Sequence, residues 1–564
     1  MKEKQNKLIW ILGLTFLLLA AVFICFKYLK ISPLSKIVAK DKISAVILPY
    51  QNILQNEQNN LLKKVSESVT PQTIILVSSN NVNNAENNQS LILTTDQNQK
   101  LANAIFSIDK DKVKKLAKSD KNISVNDLNF TEQYKDSNLL SNINQSFPDA
   151  KLLPLVLKSD LTKEQINILS DELKEVCSQD CLLISATDFS KTQPEGLAEI
   201  QNDFTIQSLE NLDIDNIYRA ETQSNQTLAL TILWAKNNQT EKFNLANRAN
   251  GYILGNYETG DKTVSSQITF TIGGDMMFDR AVDAFFRGDK LVEVVKNIDN
   301  VFRGTNASIV NLEGPISATP IEVDTTTDNL VFNLPPKTPD VLKWLGLNAV
   351  SLANNHANNA GNKGLENTHK VLNEAGISWV GGYEFNPENS VREFGSGSQK
   401  LAIISVNILA SSPDLNSLIQ SEKQKGNFVL VFPHWGNEYQ AKHSTLQGNL
   451  AKSWIDAGAD IVIGSHPHVI QDMEIYNNKP IIYSLGNLVF DQTFSTETKQ
   501  GLVVGGVIDK QKIKLVLIPI AIKNLQPEVM TGQEKEKIID KLKQSAGFPT
   551  TNYDTGYDTI EMDY

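Results

Sequence analysis

The chain has 564 residues and a formal net charge of −11. That length exceeds what one hydrophobic core covers, so two or more domains are expected. The negative balance excludes a duplex nucleic-acid binder, which needs basic surface to displace counterions, and 41% apolar residues is ordinary for a globular protein.

In chain order, the stretch from Leu8 to Phe26 comes first and carries no charge. As a helix it would span roughly 28 Å, close to the thickness of the hydrocarbon core. Lys2, Lys4 and Lys7 precede it and no small-x-small cleavage site follows. This favours a retained transmembrane helix over a cleaved signal peptide. The expectation is an anchor and tether over residues 1–40. It would hold the chain at the cell membrane as a single-pass protein, with its bulk on the extracytoplasmic side.

Residues 41–266 read as an α/β domain. The apolar runs SAVILP, TIILVS, AKLLPLVL and CLLISA predict buried strands. NNLLKKVSESV, TKEQINILSDELKEV and TLALTILWAKN have apolar residues three or four apart and predict intervening helices. Cys177 and Cys181 are too few for a structural zinc cage. An oxidising compartment would join them, and two unpaired cysteines are the alternative. Turn residues and serines gather around ETGDKTVSSQ, which places the domain boundary there.

Residues 267–525 read as a second α/β domain with a sharper rhythm. ITFTIGGD, ASIVNLEG, NAVSLANNH, NFVLVFPHWG, ADIVIGSHPH and PIIYSLGN are short β-branched runs, each ending in polar residues such as Asp, Asn, Glu or His. Helical patterns such as NKGLENTHKVLNEAG and TLQGNLAKSWIDAGA lie between most of them. Fully apolar strands alternating with helices indicate a sheet covered on both faces, with ligands at the carboxyl ends of its strands. Residues 526–564 hold one helical pattern, GQEKEKIIDKLKQSA, and a polar end predicted to be solvated.

The strand-end inventory is Asp275, Asn311, Glu313, Asn354, Asn355, His356, His434, His466, His468, Asn487 and Asp491. Carboxylates, imidazoles and amide oxygens without thiolate suit a divalent cation such as Mn, Fe or Zn. At such a cleft the cation polarises a phosphoryl oxygen or activates water. The His-x-His of GSHPHVIQ is the strongest pair, because a strand end can aim both rings at one point. Taken singly, Asp275 after two glycines also reads as a helix cap, His434 beside Trp435 as packing, and His356 as a capping or surface residue. His369 and His443 read as surface residues.

The second domain resembles the CapA family, named for a poly-γ-glutamate capsule synthesis protein and related to the calcineurin-like metallophosphatases. The motifs are GGDMMFDR, NLEGPI, SLANNHANNAG, FPHWGNEY, GSHPHVIQ and YSLGNLVFDQ. The resemblance implies a metallophosphatase-like α/β sandwich with a metal cleft. It implies Asp275, Glu313, Asn355, His434, His466 and His468 as ligands and His356 as the proton donor. Asn311, Asn354, Asn487 and Asp491 would stand around the ligands or substrate. The implied work is hydrolysis or transfer at a phosphoryl or acyl centre in capsule or cell-envelope polymer synthesis, beside that polymer or its synthase complex. A peptidase-like role on a γ-linked glutamyl polymer and a non-catalytic accessory role are the alternatives. Three departures stand out: Met277 replaces a metallophosphatase histidine, Glu313 substitutes for a bridging aspartate, and Asn359 replaces an aspartate usual in the relatives.

The first domain resembles the Memo-like family, also called AmmeMemoRadiSam system protein B, through AVILPYQN, IILVSSNN, FPDAKLLPLVL and LLISATDFSKT. Tyr50, Asn81 and Lys191 stand where the relatives carry histidines, and their cysteine is missing. The resemblance therefore implies the fold without its metal site, and a structural or binding role.

Overall fold

The computed structural model of the protein describes residues 42–51, 53–79, 92–101, 104–125, 138–177, 180–189, 194–249, 251–317, 330–395, 399–548 and 558–563. Among them no helix is long and apolar enough to cross a membrane. The described helices are short elements that cover sheets, the longest being Glu195–Asn211 with 17 residues. The expected transmembrane helix is corrected accordingly; the segment Leu8 to Phe26 on which it rested lies outside the described residues.

The first region supplies β1 (Ile43–Leu48), β2 (Thr73–Ser79), β3 (Ile92–Thr94), β4 (Gln99–Leu101), β5 (Ala104–Phe106), β6 (Ile123–Val125), β7 (Lys151–Leu157), β8 (Cys181–Ala186), β9 (Lys242–Ala249) and β10 (Tyr252–Glu258). Eight of them form one sheet in the order β6-β3-β7-β2-β8-β1-β10-β9, and β4 pairs with β5. The central strands β7, β2, β8 and β1 run parallel. β1 is buried along its whole length, as the run of apolar residues requires for a strand covered on both faces. The helix Lys163–Val176 starts at a capping box, in which Thr162 and Gln165 satisfy each other's backbone N–H groups. Cys177 and Cys181 are joined in a disulfide.

The helix Glu195–Asn211 has no sharp apolar stripe, because both its sides are covered. Leu209 accepts a hydrogen bond from the Tyr257 hydroxyl of the first sheet at 2.8 Å. At the other end Leu197 and Ile200 pack into a core cluster of the second region, with Val310, Val503 and Val516. One element thus belongs to two cores.

The second region supplies β11 (Ile268–Met276), β12 (Ala307–Leu312), β13 (Ala349–Ser351), β14 (Ser378–Val380), β15 (Val391–Phe394), β16 (Leu401–Asn407), β17 (Phe428–His434), β18 (Ile461–Ile463), β19 (Met473–Tyr476), β20 (Lys479–Ile482), β21 (Asn487–Val489), β22 (Gln500–Ile508), β23 (Lys512–Lys523), β24 (Gln526–Val529) and β25 (Thr559–Asp563). Nine form a sheet in the order β14-β13-β12-β11-β22-β23-β24, with β21 added to β11 and β25 to β23. Six form the sheet β15-β16-β17-β18-β20-β19. One core cluster joins Phe270 and Ile272 of the larger sheet to Ile403, Leu430 and Phe432 of the smaller, so the two sheets face each other. The outer face of the larger sheet packs on Val294, Leu342 and Leu372, and that of the smaller on Trp454 and Ile455. The layers are therefore helix, sheet, sheet, helix. The chain's end differs from the expected solvated tail: Thr559–Asp563 pairs antiparallel with β23, and Ile560 and Met562 reach the inter-sheet core.

Gly274 lets β11 meet the turn before β21. A Cβ there would overlap the carbonyl oxygen of Gly486, to which the next residue, Asp275, donates its N–H at 3.0 Å. Gly274→Ala is expected to cost about 3 kcal/mol, the upper range for forcing atoms into a packed core. A drop in the thermal unfolding midpoint measures it.

Candidate metal centre

Strands β11, β12 and β13 are parallel, as are β17 and β18, so their carboxyl ends meet at one edge of the sandwich. Register brings the polar residues together there. Asp275 of β11 lies opposite Asn311 of β12 and Asn487 of β21, and His434, the last residue of β17, bridges to Ser465.

Asn311 is the hub. Its amide nitrogen donates to Asp275 Oδ1 at 2.8 Å and lies 3.3 Å from His434 Nδ1 and 3.5 Å from Glu313 Oε2. Its oxygen accepts from Asn354 Nδ2 at 3.1 Å. Asn355 Oδ1 lies 2.8 Å from His434 Nε2. All but Asn355 of these side chains are buried.

The His-Pro-His turn is strained. His466 has φ 99° and His468 φ 57°, both in the left-handed region that disfavours L side chains. The turn is held by His466 N–H donating to Asp275 Oδ2 at 3.2 Å and by Tyr439 N–H donating to the Pro467 carbonyl at 2.8 Å. The result turns both rings inward. His468 Nδ1 lies 2.9 Å from Asn487 Oδ1 and 3.3 Å from Asp275 Oδ2, and its Nε2 lies 3.7 Å from Glu313 Oε1. Asn487 is itself anchored by donating to the Thr498 carbonyl at 2.9 Å.

Charge is unbalanced in this cluster. Burial, reinforced by the neighbouring imidazoles, holds His434 well below its ordinary pKa. Burial and His468 push His466 down to about 4. Burial also opposes a charge on His468, yet Glu313 and Asp275 outweigh it and raise the pKa. Glu313 is raised too, by burial first, with His468 opposing. Glu313 and His468 are therefore a coupled buried pair that shares a proton, which a bound cation would displace.

Within this strand-end cluster, two buried ligand atoms have no hydrogen-bond partner among the described residues, Glu313 Oε1 and His466 Nδ1. Both sit among donor sets that fit a divalent cation. Ligand atoms of Asp275, Glu313 and His434 lie within 4.8 Å of one another, as do those of Glu438, His466 and His468. Among the described residues both such groups lie in this region. Glu438 is absent from the strand-end inventory, because it follows β17 by four residues, beyond a turn at Gly436. An acidic residue just past a strand-end histidine is the signal that would have found it.

His356 stands at the edge. Asn359 Oδ1 accepts the Phe332 N–H at 2.8 Å and lies 2.9 Å from His356 Nδ1. An oxygen can only accept, so neutral His356 carries its proton on Nδ1, leaving Nε2 3.7 Å from Glu313 Oε1. The ring stacks on Phe332, centroids 4.1 Å apart. Asp491 stands further out: it accepts from Arg280 Nε at 3.1 Å and from the Ala281 N–H at 3.2 Å. Arg280 in turn lies 4.9 Å from the Phe332 ring centroid. Met277 is buried among Phe278 and its neighbours, and its sulfur accepts the Asp279 N–H at 3.0 Å. An apolar side chain thus stands next to Asp275 at this strand end.

In the first region Tyr50 follows β1, its N–H donating to Asp188 Oδ1 at 3.0 Å. Asn81 and Lys191 lie outside the described residues.

A family model described as "Bacterial capsule synthesis protein PGA_cap" matches residues 269–492. The chain is 30% identical over 301 residues to the "Capsule biosynthesis protein CapA" of Bacillus anthracis, covering 49% of this chain and 73% of that protein. The chain belongs to the PGA_cap family. It is also 26% identical to the "PGA biosynthesis protein CapA" of Bacillus subtilis (strain 168), over 54% of this chain and 85% of that one. A "Probable polyglutamine synthesis accessory protein" of Mycobacterium tuberculosis is 27% identical over 33% of this chain and 56% of its own length. The PGA_cap match begins within β11 and ends just past Asp491, so it contains all the strand-end residues named above.

Proposed function

We propose that this PGA_cap protein is a metal-dependent enzyme of poly-γ-glutamate-type capsule synthesis, acting by hydrolysis or transfer at an acyl or phosphoryl centre of the polymer or its precursors. The observation that carries this reading is the pair of buried, unpartnered ligand atoms, Glu313 Oε1 and His466 Nδ1, inside two adjoining donor sets. Asp275, Glu313, His434, His466 and His468 would hold the cation, with Glu438 and Asn355 beside them. When bound, the cation would polarise the reacting oxygen and activate water. His356, on the rim and fixed by Asn359, would deliver the proton to the leaving group. The capsule assignment is supported by the CapA relatives. An extracytoplasmic workplace is supported by the Cys177–Cys181 disulfide. The Memo-like region would serve as a structural partner, supported by the helix Glu195–Asn211 that enters both cores.

A non-catalytic accessory role is the second reading, favoured by the apolar Met277 in a place where metallophosphatases bind metal. Two measurements on the full chain separate the readings: metal content by mass spectrometry, and turnover of chromogenic γ-glutamyl anilides and phosphodiesters with added Mn. The enzyme reading expects bound metal and turnover abolished by chelator. Metal-free protein without turnover on either substrate class would leave the accessory role.

A further inference from the structure

Arg280 lies in the loop that follows Asp275 and the end of β11. Its backbone has φ 56° and ψ −122°, a conformation that L side chains rarely adopt. Neighbouring segments hold it there. The Arg280 N–H donates to Asp279 Oδ1 at 2.7 Å, and Asp279 Oδ2 accepts the Asn333 N–H at 2.7 Å. The next residue, Ala281, donates its N–H to Asp491 Oδ2 at 3.2 Å. Strained residues that their surroundings hold in place cluster at functional sites.

The side chain is placed as firmly. Asp491 accepts from Arg280 Nε at 3.1 Å and pairs with Nη2, so it occupies one edge of the guanidinium. The group carries five N–H donors in a planar fork. Its other edge, made by Nη1 and the second hydrogen of Nη2, has no acceptor among the described residues. The guanidinium carbon lies 4.9 Å from the Phe332 centroid and 5.6 Å from that of Phe490. Phe332 stacks on His356, and the Phe490 centroid is 4.8 Å from that of His468. One phenyl ring thus separates the cation from His356, and another separates it from His468. The Asp491 side chain is largely buried while Arg280 stays exposed, so a ligand can reach the cation.

A planar carboxylate fits a free guanidinium edge through two parallel hydrogen bonds. The carboxyl groups of Asp275, Glu313 and Glu438 disfavour a further anion deeper in the centre. We propose that Arg280 is the specificity-determining residue of this centre: its free edge receives a substrate carboxylate next to the reacting carbonyl. Asp491 is the positioning residue that presents it. In a γ-linked glutamyl chain every unit carries such an α-carboxylate. The proposal rests on the reading that the metal centre acts on an acyl group of a glutamyl polymer.

Initial rates of the Mn-loaded full chain on a γ-glutamyl anilide and on its neutral α-carboxamide test it. Wild type should prefer the acid about tenfold or more in kcat/KM, mostly through KM. Arg280→Gln should erase that preference. Arg280→Lys, which keeps the charge and loses the fork, should retain part of it. Asp491→Asn should weaken it with Arg280 still in place. Metal content and the thermal unfolding midpoint report whether each variant folds. Equal turnover of acid and carboxamide by wild type would overturn the proposal without any variant. So would an equal loss on both substrates in Arg280→Gln, which is what a mere clasp between loops predicts. Turnover of phosphodiesters alone would overturn it and leave the centre a metal-dependent enzyme. A wild type that turns over neither class would take the enzyme reading down with it.

Discussion

Replacing His468 with alanine is expected to empty the metal centre. Its two ring nitrogens face Asp275 and Glu313, at 3.3 and 3.7 Å. Loss of an outer partner of a metal ligand costs about 10–100-fold in affinity, and loss of this ligand should cost more than about 100-fold. The same side chain controls the pH dependence of the metal-free protein. The pKa of His468 is raised above its ordinary 6.5, and that of its coupled partner Glu313 above its ordinary 4.5. A raised folded pKa contributes stability that is fully present below the unfolded value and is lost as pH rises through the folded one. The metal-free chain should therefore lose thermal stability as pH rises above 6.5 into the alkaline range. Metal binding must displace the proton this pair shares, so affinity should climb over the same range, and calorimetry in buffers of different ionisation enthalpy should register proton release. In His468→Ala the His468 part of the slope should vanish along with the bound metal. Unchanged metal content in that variant would remove His468 from the ligand set.

Much of this site was legible because of one physical regularity. A parallel strand buried on both faces must be apolar along its length, so the first polar residue marks its carboxyl end. Asp275 and His434 follow this rule, and so do the turns carrying Glu313, His356 and His466; Asn487 instead opens β21, a short way past the end of β20. What the rule misses is whatever sits a turn further on. Glu438 lies beyond Gly436, and Arg280 reaches Asp491 from a residue with φ 56°. Phe332, the ring under His356, arrives from a distant segment with no periodic signal. The fold shows the same division. The strands predicted from SAVILP, TIILVS and CLLISA are strands, while the helix Glu195–Asn211 was missed. Helix periodicity shows only when one side meets water, and this helix is buried between two sheets. His369 misled for the opposite reason: a polar residue in an amphipathic pattern reads as exposed, although its ring is flat against Trp379.

Removing the imidazole of His356 should separate proton transfer from metal binding. If it is the general acid, His356→Ala should lower kcat by about 10²–10⁴-fold while metal content stays at the wild-type level. The pH profile carries the finer test. Burial lowers the His356 pKa below 6.5, and the Asn359 contact offsets only part of that. An acid must be protonated to act, so kcat should fall as pH rises through this depressed value. Asn359→Asp places a carboxylate where an amide oxygen now lies, 2.9 Å from Nδ1. A carboxylate so close favours the imidazolium and should move the limb upward by about 1–3 pH units. Asn359→Ala removes the contact and should move it down. A general acid predicts this ordered set of three profiles, whereas a residue that merely packs on Phe332 predicts one profile scaled in height. Loss of metal in His356→Ala equal to that in His468→Ala would instead make His356 a ligand and pass the proton to another group.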